Sequence, residues 1–204
     1  VVVTPNAVDA TPWRANEPIA HDVVHIVAAL RFAPRKRSLA LLRILADARK
    51  LVPAEIPMRA TIAGSGPLLG QLKRVIAKEQ LDWVRLPGRL SRERLASLYA
   101  DADIFVQPTV QEAFGLAALE ARAAGLAVVG MAGSGLSEFV VDGVNGLLVH
   151  GDLAMSSALR GLVVNRENCE AMKTFNRTHA PSHTWENALS AVDAAYMQAG
   201  NLRD

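Results

Sequence analysis

Along the chain, short apolar runs rich in β-branched residues alternate with longer stretches whose apolar positions recur at helical spacing. The runs fall at Val23–Leu30, Arg59–Ala63, Trp83–Leu86, Ile104–Gln107, Ala127–Met131 and Leu147–Val149, with glycine or proline punctuating their ends. Between them lie stretches of helical length at Ser38–Lys50, Leu68–Gln80, Arg92–Ala100, Gly115–Ala124 and a short Leu136–Val141. Strands buried on both faces and joined by helical crossovers show this pattern. It predicts an α/β fold, a Rossmann-like parallel sheet of about six strands with helices on both faces and right-handed connections. Ligands of such sheets collect at the carboxyl ends of the strands.

Beyond Val149 the pattern turns helical, at Leu153–Val164, Glu167–Thr178 and Trp185–Gln198, and no seventh strand is predicted. Residues 1–20 carry Pro5, Pro12 and Pro18 without clear periodicity, as an extended lead-in or hinge does. The chain therefore divides into a lead-in at 1–20, an α/β body at 21–165 and a helical tail at 166–204. No repeat at a fixed period and no low-complexity segment interrupts this order.

Composition narrows the functional classes. Half of the 204 residues are hydrophobic and 21% are charged, which fits a globular domain with a real core. A net charge of +2 argues against a broad nucleic-acid surface, although Arg31, Arg35, Lys36 and Arg37 form a local cluster suited to a small anion. The single cysteine, Cys169, cannot form an internal disulfide, and no Cys/His cluster has metal-ligand spacing. A reducing, cytoplasmic setting and no metal site are expected. The longest apolar-looking stretch, Ala113–Val129, includes Glu120 and Arg122, so no membrane span is predicted, and no signal peptide is visible. The opening Val1-Val2-Val3-Thr4-Pro5-Asn6 lacks an initiator methionine, and the chain reads as a piece of something longer. His21, His25, His150, His179 and His183 show no metal or nucleophile-base spacing, and Trp185 is expected to anchor the last helix by packing.

Three loops follow predicted strands and open helices, where backbone N–H groups can meet an anion. Gly64-Ser-Gly66-Pro-Leu-Leu-Gly70 superficially fits a dinucleotide-binding glycine pattern. That use also wants an acidic residue at the end of the next strand, where this chain has Leu86-Pro-Gly-Arg89, so a tight βα turn explains the glycines equally well. Arg31-Phe-Ala-Pro-Arg-Lys36-Arg37 follows the first strand; Arg31 could fork across two phosphate oxygens while Lys36 supplies a point charge, or the loop is a solvated basic turn. The third loop carries Glu112, with Glu120 eight residues on. On a helix that spacing means about 80° of rotation and about 12 Å of rise, which excludes a close acid/base dyad. A shared role needs a long ligand with a phosphate across the helix start, and a sugar nucleotide has that layout.

Glu112-Ala-Phe-Gly-Leu-Ala-Ala-Leu-Glu120 resembles the Glu, seven residues, Glu motif of the group 1 glycosyltransferases, retaining enzymes of the GT-B architecture. The likeness runs from Asn6-Ala-Val-Asp9, similar to that family's interdomain junction, to Trp185. It implies that Arg31 and Lys36 bind the donor diphosphate, Glu112 contacts the transferred sugar and Glu120 holds the ribose hydroxyls. It further implies that backbone amides around Gly115 and Leu116 touch the phosphates, that Phe114 belongs to the donor site, and that Gly64, Gly66 and Arg89 line the nucleotide side. Gly135, Glu138 and the turn Asp142–Gly146 match structural landmarks. Two departures stand out: Arg37 where the family usually has glycine, adding a phosphate contact or crowding the loop, and Ser134-Gly135 where it usually has two glycines.

The resemblance implies one half of a GT-B enzyme. A missing N-terminal domain would carry the acceptor site and any peripheral contact with a membrane. The partner would be a nucleoside-diphosphate sugar, neither metal nor cofactor would be needed, and the isolated half would bind donor but be largely inactive. A nicotinamide-dependent oxidoreductase and a non-enzymatic module that keeps the fold are the alternatives.

Overall fold

The computed structural model describes residues 6–14 and 22–201. Residues 1–5, 15–21 and 202–204, and with them Pro5, Pro18 and His21, lie outside the described residues. Six strands alternate with helices: β1 (Val24–Ala29), α1 (Ser38–Leu51), β2 (Met58–Ala63), α2 (Leu69–Lys78), β3 (Val84–Gly88), α3 (Arg92–Ala100), β4 (Ile104–Gln107), α4 (Leu116–Ala123), β5 (Ala127–Met131) and β6 (Gly146–Val149). Then come α5 (Asp152–Val164), α6 (Arg166–Thr178) and α7 (Trp185–Asn201). All strand pairs are parallel, in the order β3-β2-β1-β4-β5-β6. The order reverses between β1 and β4, and the crevice above such a reversal is where open α/β sheets hold ligands.

Period-2 alternation splits the strand side chains between two cores. Ile26 and Ala28 of β1, Ile104 and Val106 of β4, and Ala127 and Val129 of β5 join one cluster with Leu41, Leu42 and Leu45 of α1 and Met155 and Leu159 of α5. Val27, Phe105 and Val128, the intervening residues, face a second cluster with Tyr99 of α3 and Ala118 and Leu119 of α4. Helices thus cover both faces, as the unbroken apolar strands predict. Cys169 and Met172 of α6 also enter the first cluster.

Element bounds differ from the sequence expectation by a residue or two, except that α7 runs three residues past the expected Gln198 and one expected helix is not formed. The expected short helix at 136–141 is a 3-10 turn, Gly135–Glu138. Ser134 Oγ donates to the Met131 carbonyl at 2.7 Å and accepts from the Leu136 amide at 3.4 Å, and Asn145 Oδ1 then takes the Val141 amide at 2.7 Å. Local side-chain bonds compete with helix here and stop it after one turn. Trp185 is a second correction: it is 60% exposed and does not anchor α7 by packing.

At the amino ends of the strands, away from the crevice, a polar network is sealed. Asp103, 1% exposed, accepts from Lys173 Nζ at 2.6 Å and from the His25 amide at 2.9 Å. His25 in turn joins the Asp101 carbonyl at 2.7 Å and Thr61 Oγ1 at 2.9 Å. Burial holds the His25 imidazole below its usual range. Its 3.3 Å approach to the Asp101 carboxylate is therefore a contact of a neutral ring at neutral pH.

Candidate functional site

The loop after β1 is fixed from beneath by the loop after β2. The Phe32 amide donates to the Ser65 carbonyl at 2.9 Å, the Leu68 amide donates to the Phe32 carbonyl at 3.0 Å, and the Phe32 ring is fully buried. A side chain at Gly64 would strike the Leu30 carbonyl, and one at Gly66 would meet the Phe32 carbonyl oxygen at 2.5 Å. The glycines are thus required by the contact between two loops. The motif also follows β2, one strand away from the β1/β4 reversal where a dinucleotide loop belongs, and the nicotinamide alternative is not favoured.

With that support, Arg31 stands exposed at the carboxyl end of β1, and a 3-10 turn, Pro34–Lys36, carries Lys36 toward β4. Lys36 Nζ donates to Glu112 Oε2 at 2.7 Å, and Gln107 Nε2, from the last residue of β4, donates to the same oxygen at 2.9 Å. The Glu112 side chain is only 14% exposed, against 37% for Lys36. Glu112 lies four residues before α4, not on it, so the helical-wheel spacing of the two glutamates does not describe their geometry. The loop is held by the Gly135 amide, which donates to the Glu112 carbonyl at 2.8 Å.

Gly115 enters α4 at φ 92, where a side chain would lie 2.6 Å from Leu136 Cδ1. The turn leaves the first amides of α4 without intrahelical acceptors, facing the same space as Lys36. Phe114 is 5% exposed and packs at 5.3 Å on both Phe139 and His183, so its ring anchors the loop. Glu120 is half-buried on α4; burial raises its carboxyl above the usual range, with Arg92 opposing. Burial, and secondarily the charge of Glu120, also pushes the Tyr99 hydroxyl well up.

Two adjoining clefts result, sharing Ala29, Leu30 and Arg31. One, about 510 Å³, is lined further by Gly64, Ser65, Gly66, Arg89 and Leu90. The other, about 410 Å³, takes in Lys36, Gln107, Glu112, Phe114, Gly115 and Leu116. Nine of the ten expected site residues line one cleft or the other; Glu120 does not. Arg37 turns away from both: it donates to the Pro108 carbonyl at 2.9 Å and to both oxygens of Asp152 at 2.8 and 2.9 Å. Its guanidinium is taken up by these bonds, and Arg37 lines neither cleft. Gln107 was missed by sequence reasoning; a polar residue closing the apolar run Ile104-Phe-Val-Gln107 at a strand's carboxyl end is the signal that marks it. Among the described residues no cluster of three or more potential metal ligands is found, and no helix is long and apolar enough to cross a membrane.

Comparison with known proteins bears on the family and the fold. The family model for glycosyl transferases group 1 matches residues 9–179. D-inositol 3-phosphate glycosyltransferase of Geodermatophilus obscurus is 36% identical over 201 residues, covering 94% of this chain and 44% of that protein. The chain thus spans less than half the length of that curated relative. Among solved structures, Anabaena HepE in complex with UDP-glucose superposes with a TM-score of 0.76 at 18% identity, covering 95% of this chain and 57% of that one. The C-terminal domain of a group 1 glycosyl transferase from Francisella tularensis gives 0.71 at 20% identity, covering 84% of this chain and 95% of that one. On the strength of the family match, the chain belongs to the group 1 glycosyl transferases.

Proposed function

We propose that this chain is the donor-binding half of a retaining glycosyltransferase, holding a nucleoside-diphosphate sugar along the paired clefts. The observation that carries this reading is the convergence of Lys36, Gln107 and Glu112 at the β1/β4 reversal, in a cleft joined through Arg31 to the one lined by Gly64, Gly66 and Arg89. The nucleoside lies along the Gly64–Arg89 cleft. The diphosphate meets Arg31, Lys36 and the amides of Gly115 and Leu116, and the sugar reaches Glu112. Glu120, which lines neither cleft, is assigned the ribose hydroxyls by the family motif alone, and in transfer Arg31 and Lys36 stabilise the charge on the departing diphosphate, an electrostatic task suited to cations fixed in advance.

Related structures were solved with UDP or UDP-glucose, which makes a uridine diphosphate the first donor to test. The lead-in at 1–20 would join the body at 21–165 to an acceptor-bearing domain, with the helices from 166 onward closing the unit. Acceptor binding, transfer and any membrane contact would then belong to the longer protein, in a cytoplasmic setting. Calorimetry with UDP tests the proposal: saturable binding is expected, weakened about tenfold or more by Arg31→Ala, Lys36→Ala or Glu120→Ala. An absence of binding to UDP, GDP and ADP at millimolar concentration would overturn it.

A further inference from the structure

Gln107 has no place in the residue roles set out above, yet its side chain is fixed at their centre. It is 6% exposed, it ends β4, and its amide lies against both Glu112 and Gly115, within 3.3 Å of where a Gly115 side chain would begin. Only its NH2 end can face a carboxylate, because a carbonyl oxygen there would repel it. Lys36 and Gln107 both donate to Oε2, and among the described residues Oε1 of Glu112 carries no hydrogen bond. The carboxylate is therefore gripped by one oxygen on the protein side of the cleft. A carboxylate is an acceptor only, and a sugar presents hydroxyl donors.

We propose that Gln107 is a positioning residue for the sugar: with Lys36 it fixes Glu112 through Oε2, so that Oε1 is presented to a hydroxyl of the transferred sugar. This rests on the proposed function, in which Glu112 meets that sugar. Lys36 alone would not fix the carboxylate plane, because an ammonium on a flexible stem constrains a distance but little direction. The planar Gln107 amide, anchored in the strand, supplies the direction. Glu112 then needs no reorientation when a donor arrives, and the ordering cost is met during folding.

The proposal separates sugar recognition from diphosphate recognition. Calorimetry on the chain would compare UDP with UDP-glucose and UDP-N-acetylglucosamine, for the wild type and for Gln107→Met, which keeps the side-chain length and removes the N–H. The affinity of the tighter UDP-sugar relative to UDP is expected to fall about fivefold to tenfold, less than the loss of a whole hydrogen bond to a charged group because Oε1 is misdirected and not removed. Gln107→Asn, which keeps the polarity but withdraws the amide by one methylene, is expected to give the same loss. It also secures the test if the methionine variant melts below the assay temperature. An unchanged ratio in a folded variant, or a wild type in which the sugar adds nothing to UDP affinity, overturns the role of Gln107 and leaves the proposed function standing. Failure of the wild type to bind any nucleoside diphosphate overturns both.

Discussion

Gly66 and Gly70 belong to one glycine pattern in the sequence and to different physics in the structure. At Gly66, φ is 154 and an added Cβ would lie 2.5 Å from the Phe32 carbonyl oxygen, whereas at Gly70 nothing lies within 4 Å. Gly66→Ala is therefore expected to destabilise by about 2–4 kcal/mol, through strain and loss of the contact between loops. Gly70→Ala, on α2, is expected to be neutral or to stabilise by about 0.5 kcal/mol. Urea denaturation of the two variants checks this, and equal effects would contradict it. The cysteine at the same scale is inert: burial, reinforced by Asp103, pushes the Cys169 thiol up to about 12, which leaves no thiolate at neutral pH.

The junction between the 3-10 turn and α1 shows how an element boundary sets the site. Arg37 sits at φ 56, a left-handed conformation that disfavours a side chain, and its guanidinium ties the β1 loop to Pro108 and to Asp152 at the start of α5. The backbone and the side chain therefore pull in opposite directions. Arg37→Ala keeps the strain and loses the ties, with an expected cost of about 1–2 kcal/mol, because the pair is partly exposed and screened. Arg37→Gly loses the same ties and relieves the strain, so it is expected to be about 1 kcal/mol more stable than Arg37→Ala. Thermal melting of the two variants decides it; a glycine variant no more stable than the alanine one would remove strain from the account. Sequence alone placed a cation here and assigned it a phosphate or a crowded loop, because Asp152 lies more than a hundred residues away along the chain.

For the whole molecule, the candidate clefts and the sealed charge network occupy opposite ends of one sheet, so the titrations of His25 and Asp103 act on stability at the end remote from the clefts. Burial lowers His25, opposed by the Asp101 carbonyl and assisted by Arg59. Burial alone would raise Asp103, but the bonds from Lys173 and the His25 amide, with the charges of Lys173 and Arg166, bring it below the usual carboxylate range. Both folded-state values lie below the unfolded ones, so on acidification the unfolded chain takes up these protons first. Stability is expected to be level between about pH 7 and pH 8, to decline below about pH 6.5 through His25, and to fall further below about pH 4 through Asp103. Lys173→Met leaves Asp103 with much less compensating charge and is expected to cost about 3 kcal/mol or more at pH 7. Denaturation curves from pH 8 to pH 4 test both statements, and a profile flat down to pH 5 would remove the His25 contribution.

What the sequence by itself determined was whatever depends on neighbours along the chain. Unbroken apolar runs gave six strands, helical spacing gave the crossovers between them, and the motif from Glu112 to Glu120 gave the family. Nine expected site residues line the clefts because strand ends and loop residues are local features that the parallel α/β order brings together. Tertiary structure decided what depends on partners far apart in sequence. It put Lys36 and Gln107 on one oxygen of Glu112, turned Arg37 to Asp152, left Trp185 exposed, and showed that Gly64 and Gly66 make room for the β1 loop. Directional hydrogen bonds and close packing act over a few ångströms in space, and only the folded sheet sets those distances.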